Sequence, residues 1–193
     1  MRKASLLLAA LVLLGLMAGT ALAAAPFHIG VVTGTVSQSE DDLRGAEALI
    51  KNYGDVAKGG MIKHITYPDN FMSEMETTIS QIVGLADDPK MKVIVVNQAI
   101  PGTTEAFRRV KEKRPDILLF AGEPHEDPNV IGSVANIAVN ADNVARGYLI
   151  IAAAKKMGAD TFVHISFPRH MSYELLSRRR NIMEQACKDL GMK

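Results

Sequence analysis

The chain has 193 residues, with 22 Lys and Arg against 21 Asp and Glu and a formal net charge of +1. That balance provides no basic face, which argues against nucleic acid as a partner. The single cysteine, Cys187, rules out an internal disulfide, and with Trp absent the apolar mass is Ala, Val, Ile, Leu and Met, suited to helices packed on a buried parallel sheet.

Residues 1–25 read as a secretory signal peptide. Met1, Arg2 and Lys3 make a positive start, an apolar run extends from Leu6 to Met17, and Ala21-Leu22-Ala23-Ala24-Ala25-Pro26 supplies small residues for cleavage. Cleavage after Ala23 and cleavage after Ala25 both fit. A retained anchor would want roughly 20 apolar residues without such a cut site. A lipoprotein would need a cysteine just beyond the cut. The mature chain is therefore expected in the periplasm and not inserted in the membrane; a Gram-positive cell would release the same product. Removing the leader leaves about 168 residues, enough for a domain with a real core, and takes the net charge to about −1.

Phe27 to Gly34 predicts a buried strand ending in a glycine turn. A helix is expected from Glu40 to Tyr53, with Leu43, Ala46, Leu49, Ile50 and Tyr53 on one side. Ser37 with Glu40, or Ser39 with Asp42, can form its capping box, and Gly54 can end it. Gly60 to Tyr67 is a second strand, followed by a turn at Pro68 and Asn70 and a helix through Gly84. Met91 to Asn97 is the clearest central strand. Pro101-Gly102 breaks the chain, and Thr103 can cap a helix to about Lys113. Asp116 to Gly122 is a fourth strand, Pro124 to Pro128 a polar loop, and Ser133 to Val139 a weaker strand. Asp142 caps a long helix ending at Gly158. Thr161 to Ser166 reads as a further strand, and Met171 to Leu190 as a last helix stopped by Gly191. Cys187 lies in that helix, at a spacing from Met183 and Leu190 that suits a buried face.

This alternation predicts an α/β fold, a Rossmann-like parallel sheet with right-handed crossovers. Ligands in such sheets bind beyond the carboxyl ends of the strands. Residues 26–140 make a first α/β lobe. Residues 141–193 add a crossover helix and one βα unit, which is too little for a core of its own and would leave an exposed sheet edge. Either that unit joins the first lobe or the natural protein continues beyond it; truncation is the favoured reading.

The organisation resembles the start of a type I periplasmic binding protein, in which two Rossmann-like lobes close on a small ligand. More narrowly, the chain is similar to the DUF3798 family of exported bacterial proteins. The resemblance rests on the run from Phe27 to Asp42, which opens Phe-His-Ile-Gly-Val-Val-Thr-Gly, and on Asn97-Gln98-Ala99-Ile100-Pro101-Gly102-Thr103. It implies a type I periplasmic-binding-protein lobe with the start of a second lobe, in a family whose members are usually near twice this length. It implies no particular ligand.

Candidate ligand residues follow the strand ends. Thr33, Thr35, Ser37 and Gln38 lie after the first strand, where hydroxyls, an amide and free N–H groups can meet a polar ligand or simply cap the helix. The glycines there form no dinucleotide or phosphate-loop fingerprint. Tyr67 ends the second strand, with Asp69 close by. Asn97 and Gln98 follow a very apolar strand, where polar groups are costly unless satisfied. Glu123 follows the fourth strand, and the spacing of Glu123, His125, Glu126 and Asp127 matches no metal signature. Arg146 can reach the cleft or pair with Asp142. Ser166, Phe167 and Arg169 follow the last strand, where the resembled fold brings its second lobe to the ligand. Arg178, Arg179 and Arg180 read as solvated surface or a partner contact.

The export signal, the alternating fold and the polar strand ends together point to an exported binding protein for a small polar molecule. Hinge closure near Asn140 and Gly158 would be read by a membrane transporter or sensor. No cofactor or metal is called for. An enzyme is the rival reading, with His125 and Asp127 or His170 and Glu174 as acid–base pairs. Neither pair has a nucleophile beside it, and no Gly-x-Ser-x-Gly elbow is present. A non-binding structural fragment is the third reading. A sugar, nucleoside, amino acid or small organic ion all remain open as ligands.

Overall fold

The computed structural model describes residues 24–193. The leader to Ala23 and the side chain of Arg169 lie outside the described residues. Five strands form one parallel sheet: β1 (His28–Thr33), β2 (Ile62–Thr66), β3 (Met91–Asn97), β4 (Leu118–Gly122) and β5 (Ile137–Val139), in the order β2-β1-β3-β4-β5. The helices are α1 (Val36–Tyr53), α2 (Met75–Leu85), α3 (Thr103–Lys113), α4 (Pro128–Gly132), α5 (Asn143–Lys156) and α6 (Glu174–Asp189).

The central strand β3 organises the core. Ile94 and Val96 are fully buried and cluster with Ile79 and Ile82 of α2 and Phe107 and Val110 of α3. Each such side chain contributes roughly 1.5–3 kcal/mol by leaving water. The register puts Val31, Val95, Phe120 and Ile137 in one row on the opposite face. There α1 covers only the β1–β2 side, through Ala46 packed on Val31 and Ile62. At the far edge Ile137 and Val139 stay 43% and 51% exposed.

The expected elements are met, with four corrections. First, α1 starts at Val36 and is broken at Ser39, whose φ of −161° and ψ of 87° are non-helical. Second, Thr103 is not the cap of α3. Gly102, at φ 97°, holds that position, and the Thr103 hydroxyl donates to Ile100 O at 2.6 Å. The open N–H groups go to a distant carboxylate: Glu126 accepts from Gly102 N at 3.1 Å and from Thr104 N at 2.9 Å. Third, Ser133–Val139 is not a full strand. Asp127 accepts from Asn129 N at 2.7 Å and Pro128 opens α4, so the chain turns until Ile137.

Fourth, Thr161–Ser166 forms no strand. One pair of bonds, Phe162 N to Lys193 O at 2.7 Å and Lys193 N to Asp160 O at 2.9 Å, is its only backbone pairing among the described residues. A strand exists through its neighbours, and an apolar sequence cannot supply them. Ile165 is accordingly 89% exposed.

Asp142 caps α5 as expected, accepting from Val144 N at 3.1 Å and Ala145 N at 2.9 Å. The segment Pro168–Ser172 is a 3₁₀ turn, and α6 begins after it. Helices α5 and α6 pack together around Ile151, Met183, Ala186 and Met192, with Cys187 half-buried beside them. Gly147 permits the close approach: a Cβ there would lie 2.8 Å from the Arg179 carbonyl oxygen. Among the described residues no helix is long and apolar enough to cross a membrane.

Candidate functional site

The chain leaves β1 towards β2 on one side and leaves β3 towards β4 on the other. Such a reversal opens a crevice beyond the carboxyl ends of the strands. A cleft of about 450 Å³ lies there, between the start of α1, the ends of β3 and β4, and helices α5 and α6. Ser39, Asp41 and Asp42 form one wall; Asn140, Asn143 and Arg146 form the other; Gln98, Glu123 and His125 lie at the strand ends; and Tyr173, Leu175 and Leu176 close the α6 side.

The acidic wall is tightly built. The Asn97 and Gln98 side-chain amides both donate to Asp42, the second at 3.0 Å, and the Ser39 hydroxyl donates to it as well. The break at Ser39 lets that side chain reach Asp42. Gln98 and Glu123, each the first residue past its strand, have φ of 49° and 45°. Left-handed backbone costs a non-glycine residue about 1 kcal/mol or more, and here it turns both side chains to the cleft. The Glu123 carboxylate accepts from Ala141 N at 3.0 Å, linking β4 to the start of α5.

The basic side of the cleft is Arg146 of α5, with Arg179 of α6 behind it. Arg146 lines the cleft rather than pairing with Asp142, whose carboxylate is occupied by the helix N–H groups. Arg179 is half-buried and donates to Asn143 Oδ1 at 3.2 Å. Burial lowers its pKa first, the neighbouring Arg146 charge lowers it further, and Glu123 opposes both. A guanidinium stays charged regardless. His125 and Tyr173 stack at 4.6 Å and form an aromatic edge to the same space.

Of the residues singled out in the sequence, the cleft brings together Gln98, Glu123 and Arg146, with Asn97 directly behind them holding Asp42. The others lie elsewhere. Thr33 is buried, with its hydroxyl between Gly34 O and His64 Nε2, each at 2.9 Å. Thr35 donates to the Asp69 carboxylate and contacts Ser37, while Gln38 donates to Asp69 O at 3.0 Å. These side chains tie α1 to the β2 turn, and the Thr35 and then the Ser37 hydroxyl hold the Asp69 carboxyl below its usual range. Tyr67 is a core residue, edge-to-face on Phe71, and burial pushes its phenol well above the ordinary value. Ser166 bonds to His170 at 2.9 Å and Phe167 packs on the same ring; neither lines the cleft, because the strand expected to present them is absent. Arg169 is outside the described side chains.

Asp42, Asn143, Tyr173 and Arg179 were not singled out as ligand contacts. Asp42 followed a serine at capping distance, and Arg179 stood within a run of three arginines. Arg178 and Arg180 do sit on the surface, paired with Glu174 and Glu184. Arg179 turns inward because it falls on the face of α6 that meets α5 at Gly147. Among the described residues no three His, Cys, Asp or Glu side chains converge to hold a metal ion.

Comparisons with known proteins agree with this architecture. An uncharacterized protein of Treponema pallidum (strain Nichols) is 48% identical over 168 residues, covering 86% of this chain and 76% of its own. A crystal structure from Clostridium difficile 630, provisionally named a transcriptional regulator, superposes with a TM-score of 0.69 at 29% identity, over 86% of this chain and 48% of that one. An ABC-transporter periplasmic solute-binding protein of Actinobacillus succinogenes 130z, with bound D-allose, superposes with a TM-score of 0.61 at 16% identity, over 85% of this chain and 56% of that one. The chain thus spans about half the length of the solved structures it matches. The α/β fold with its parallel sheet resembles a type I periplasmic-binding-protein lobe. Residues 27–193 match the family model described as protein of unknown function DUF3798, and the chain belongs to that family.

Proposed function

We propose that this is an exported binding protein for a small polar solute, held at the carboxyl ends of β3 and β4, without catalysis. The observation that carries this reading is the cleft itself: its polar groups converge at the sheet's switch point, and Asp42 is fixed in place by Ser39, Asn97 and Gln98 before any ligand arrives. Preorganised polar groups in a concave site are what solute recognition needs. Arg146, Asn143 and Tyr173 would hold the solute from the α5–α6 side, with movement about Asn140 and Gly158 closing the site. The closed form would be read by a membrane partner. The Actinobacillus neighbour, a transporter's solute-binding protein, favours a transporter as that partner, with a membrane sensor as the second reading.

The leader supports export. Ala25 is buried and donates its N–H to Gly59 O at 3.1 Å, so cleavage after Ala23 keeps a contact that cleavage after Ala25 would delete. Mass spectrometry of the mature N-terminus decides between them. The binding role is tested by thermal unfolding of the mature chain, and of the longer Treponema relative, against a small-metabolite library. A ligand of the folded state must raise its apparent stability. A concentration-dependent rise supports the proposal; no rise in either folded protein at millimolar solute defeats it.

A further inference from the structure

Charge is distributed unusually in the cleft. The other described arginine side chains, Arg44, Arg108, Arg109, Arg114, Arg178 and Arg180, each have a carboxylate within 4 Å. Arg146 and Arg179 have none among the described residues, and they are electrostatic neighbours of each other. Glu123 also acts on Arg179 but its carboxylate is engaged by Ala141 N, so Arg146 faces the cleft with no ion-pair partner and can take an anion. On the facing wall Asp42 is in the complementary state. It accepts three hydrogen bonds, all from uncharged groups, and no described cation lies within ion-pair distance. Asp41 lines the same wall.

Resting on the solute-binding reading above, we infer that the cleft selects a zwitterion: a small molecule whose carboxylate meets Arg146, with the Arg179 charge behind it, and whose ammonium meets Asp42 and Asp41. α-Amino acids and close derivatives are the class. A neutral polyol would leave both sets of charges uncompensated as the site closes and water leaves, whereas a ligand carrying both signs compensates each. A ligand of one sign would satisfy one wall and leave the other exposed to its own charge. The stacked His125 and Tyr173, with Leu175 and Leu176, offer an apolar surface for a side chain.

The test is isothermal titration of the mature chain at low ionic strength. The probes are the standard α-amino acids. For each that binds, the amine lacking its carboxylate and the 2-hydroxy acid lacking its ammonium follow, with D-allose and other hexoses as neutral probes. The expected result is binding of at least one amino acid, with both truncated analogues roughly tenfold weaker or worse. Arg146→Gln should weaken the amino acid and the hydroxy acid and spare the amine. Asp42→Asn should weaken the amino acid and the amine and spare the hydroxy acid. Asp42 also anchors Asn97 and Gln98, so if that variant unfolds, the exposed Arg146 decides the matter. Hexose binding without amino-acid binding, or an amino-acid Kd unmoved by Arg146→Gln, overturns the inference and leaves the solute-binding reading standing. Absence of binding by every probe overturns both.

Discussion

Glu123 is a residue whose backbone and side chain pull in different directions. Its φ of 45° is unfavourable for any side chain, while its carboxylate ties the end of β4 to Ala141 N. Glycine would relieve the first and lose the second. Glu123→Gly is therefore expected to change the unfolding free energy by no more than ~1 kcal/mol in either direction, while solute binding weakens; urea unfolding and titration calorimetry on the same variant read the two effects apart. His64 supplies a pH dependence. It is half-buried on β2, and burial holds its imidazole below the usual histidine range, against the pull of Glu47. The Thr33 hydroxyl gives its proton to Gly34 O, so His64 Nε2–H is the donor to Thr33. With a depressed folded value, the unfolded chain takes the proton first. This contribution to stability is thus complete above the unfolded value of about 6.5 and is lost as the pH falls from there through the folded value. Unfolding at about pH 7.5 and about pH 5.5 should show a loss on the acid side that His64→Gln reduces.

Among the elements, the N-terminus of α3 depends on a residue far along the chain. Glu126 accepts from two of its backbone N–H groups and from the Thr104 hydroxyl, the last at 2.6 Å. Glu126→Ala should cost about 1–2 kcal/mol in urea unfolding, at the upper end of a lost cap. Asp127→Ala, which opens only the five-residue α4, should cost less. The α5–α6 pair rests on Gly147. A methyl group there meets the Arg179 backbone, so Gly147→Ala should destabilise by about 1–3 kcal/mol and displace Arg179 from Asn143. A companion fall in binding would distinguish displacement of the cleft wall from simple loss of packing.

These elements also mark how far the sequence can be read. β3 and α3 are where hydrophobic pattern and breakers put them, because each pattern is long and its limits, Pro101-Gly102 and Arg114, are local. The short α4 was hidden in a polar loop. Its Asp127-Pro128 start is a legible signal, but it is followed by a single turn that carries no periodicity. Thr161–Ser166 has the composition of a strand and lacks the pairing, and composition cannot report a missing neighbour. The strand-end rule puts Gln98 and Glu123 on the cleft, since topology alone delivers those positions, and Arg146 reaches it from the first turn of α5. The rule does not reach Asp42, which lines the cleft through a helix break, or Arg179, which supports Asn143 through an interhelical contact.

At the scale of the whole molecule, the two faces of the sheet are unequally covered. α2 and α3 bury the central strands of one face, while α1 protects only the β1–β2 half of the other. The strand register also carries a consequence for how the molecule assembles. Phe120 and Ile137 pair across 17 residues and Val93 and Leu118 across 25, but Ile29 and Val93 pair across 64. Closing the longer loop costs more entropy, so the β3–β4–β5 half should form first and β1 should dock against it last. Pulse-labelled amide exchange during refolding should protect β3 and β4 before β1; the opposite order would refute this. Because the acidic wall hangs from α1 and its anchors from β3, the cleft comes into being only at that final docking. A chain led across a membrane by its N-terminus would then deliver first the strand that folds last, and that strand would stay unpaired on the far side until β3 had followed it.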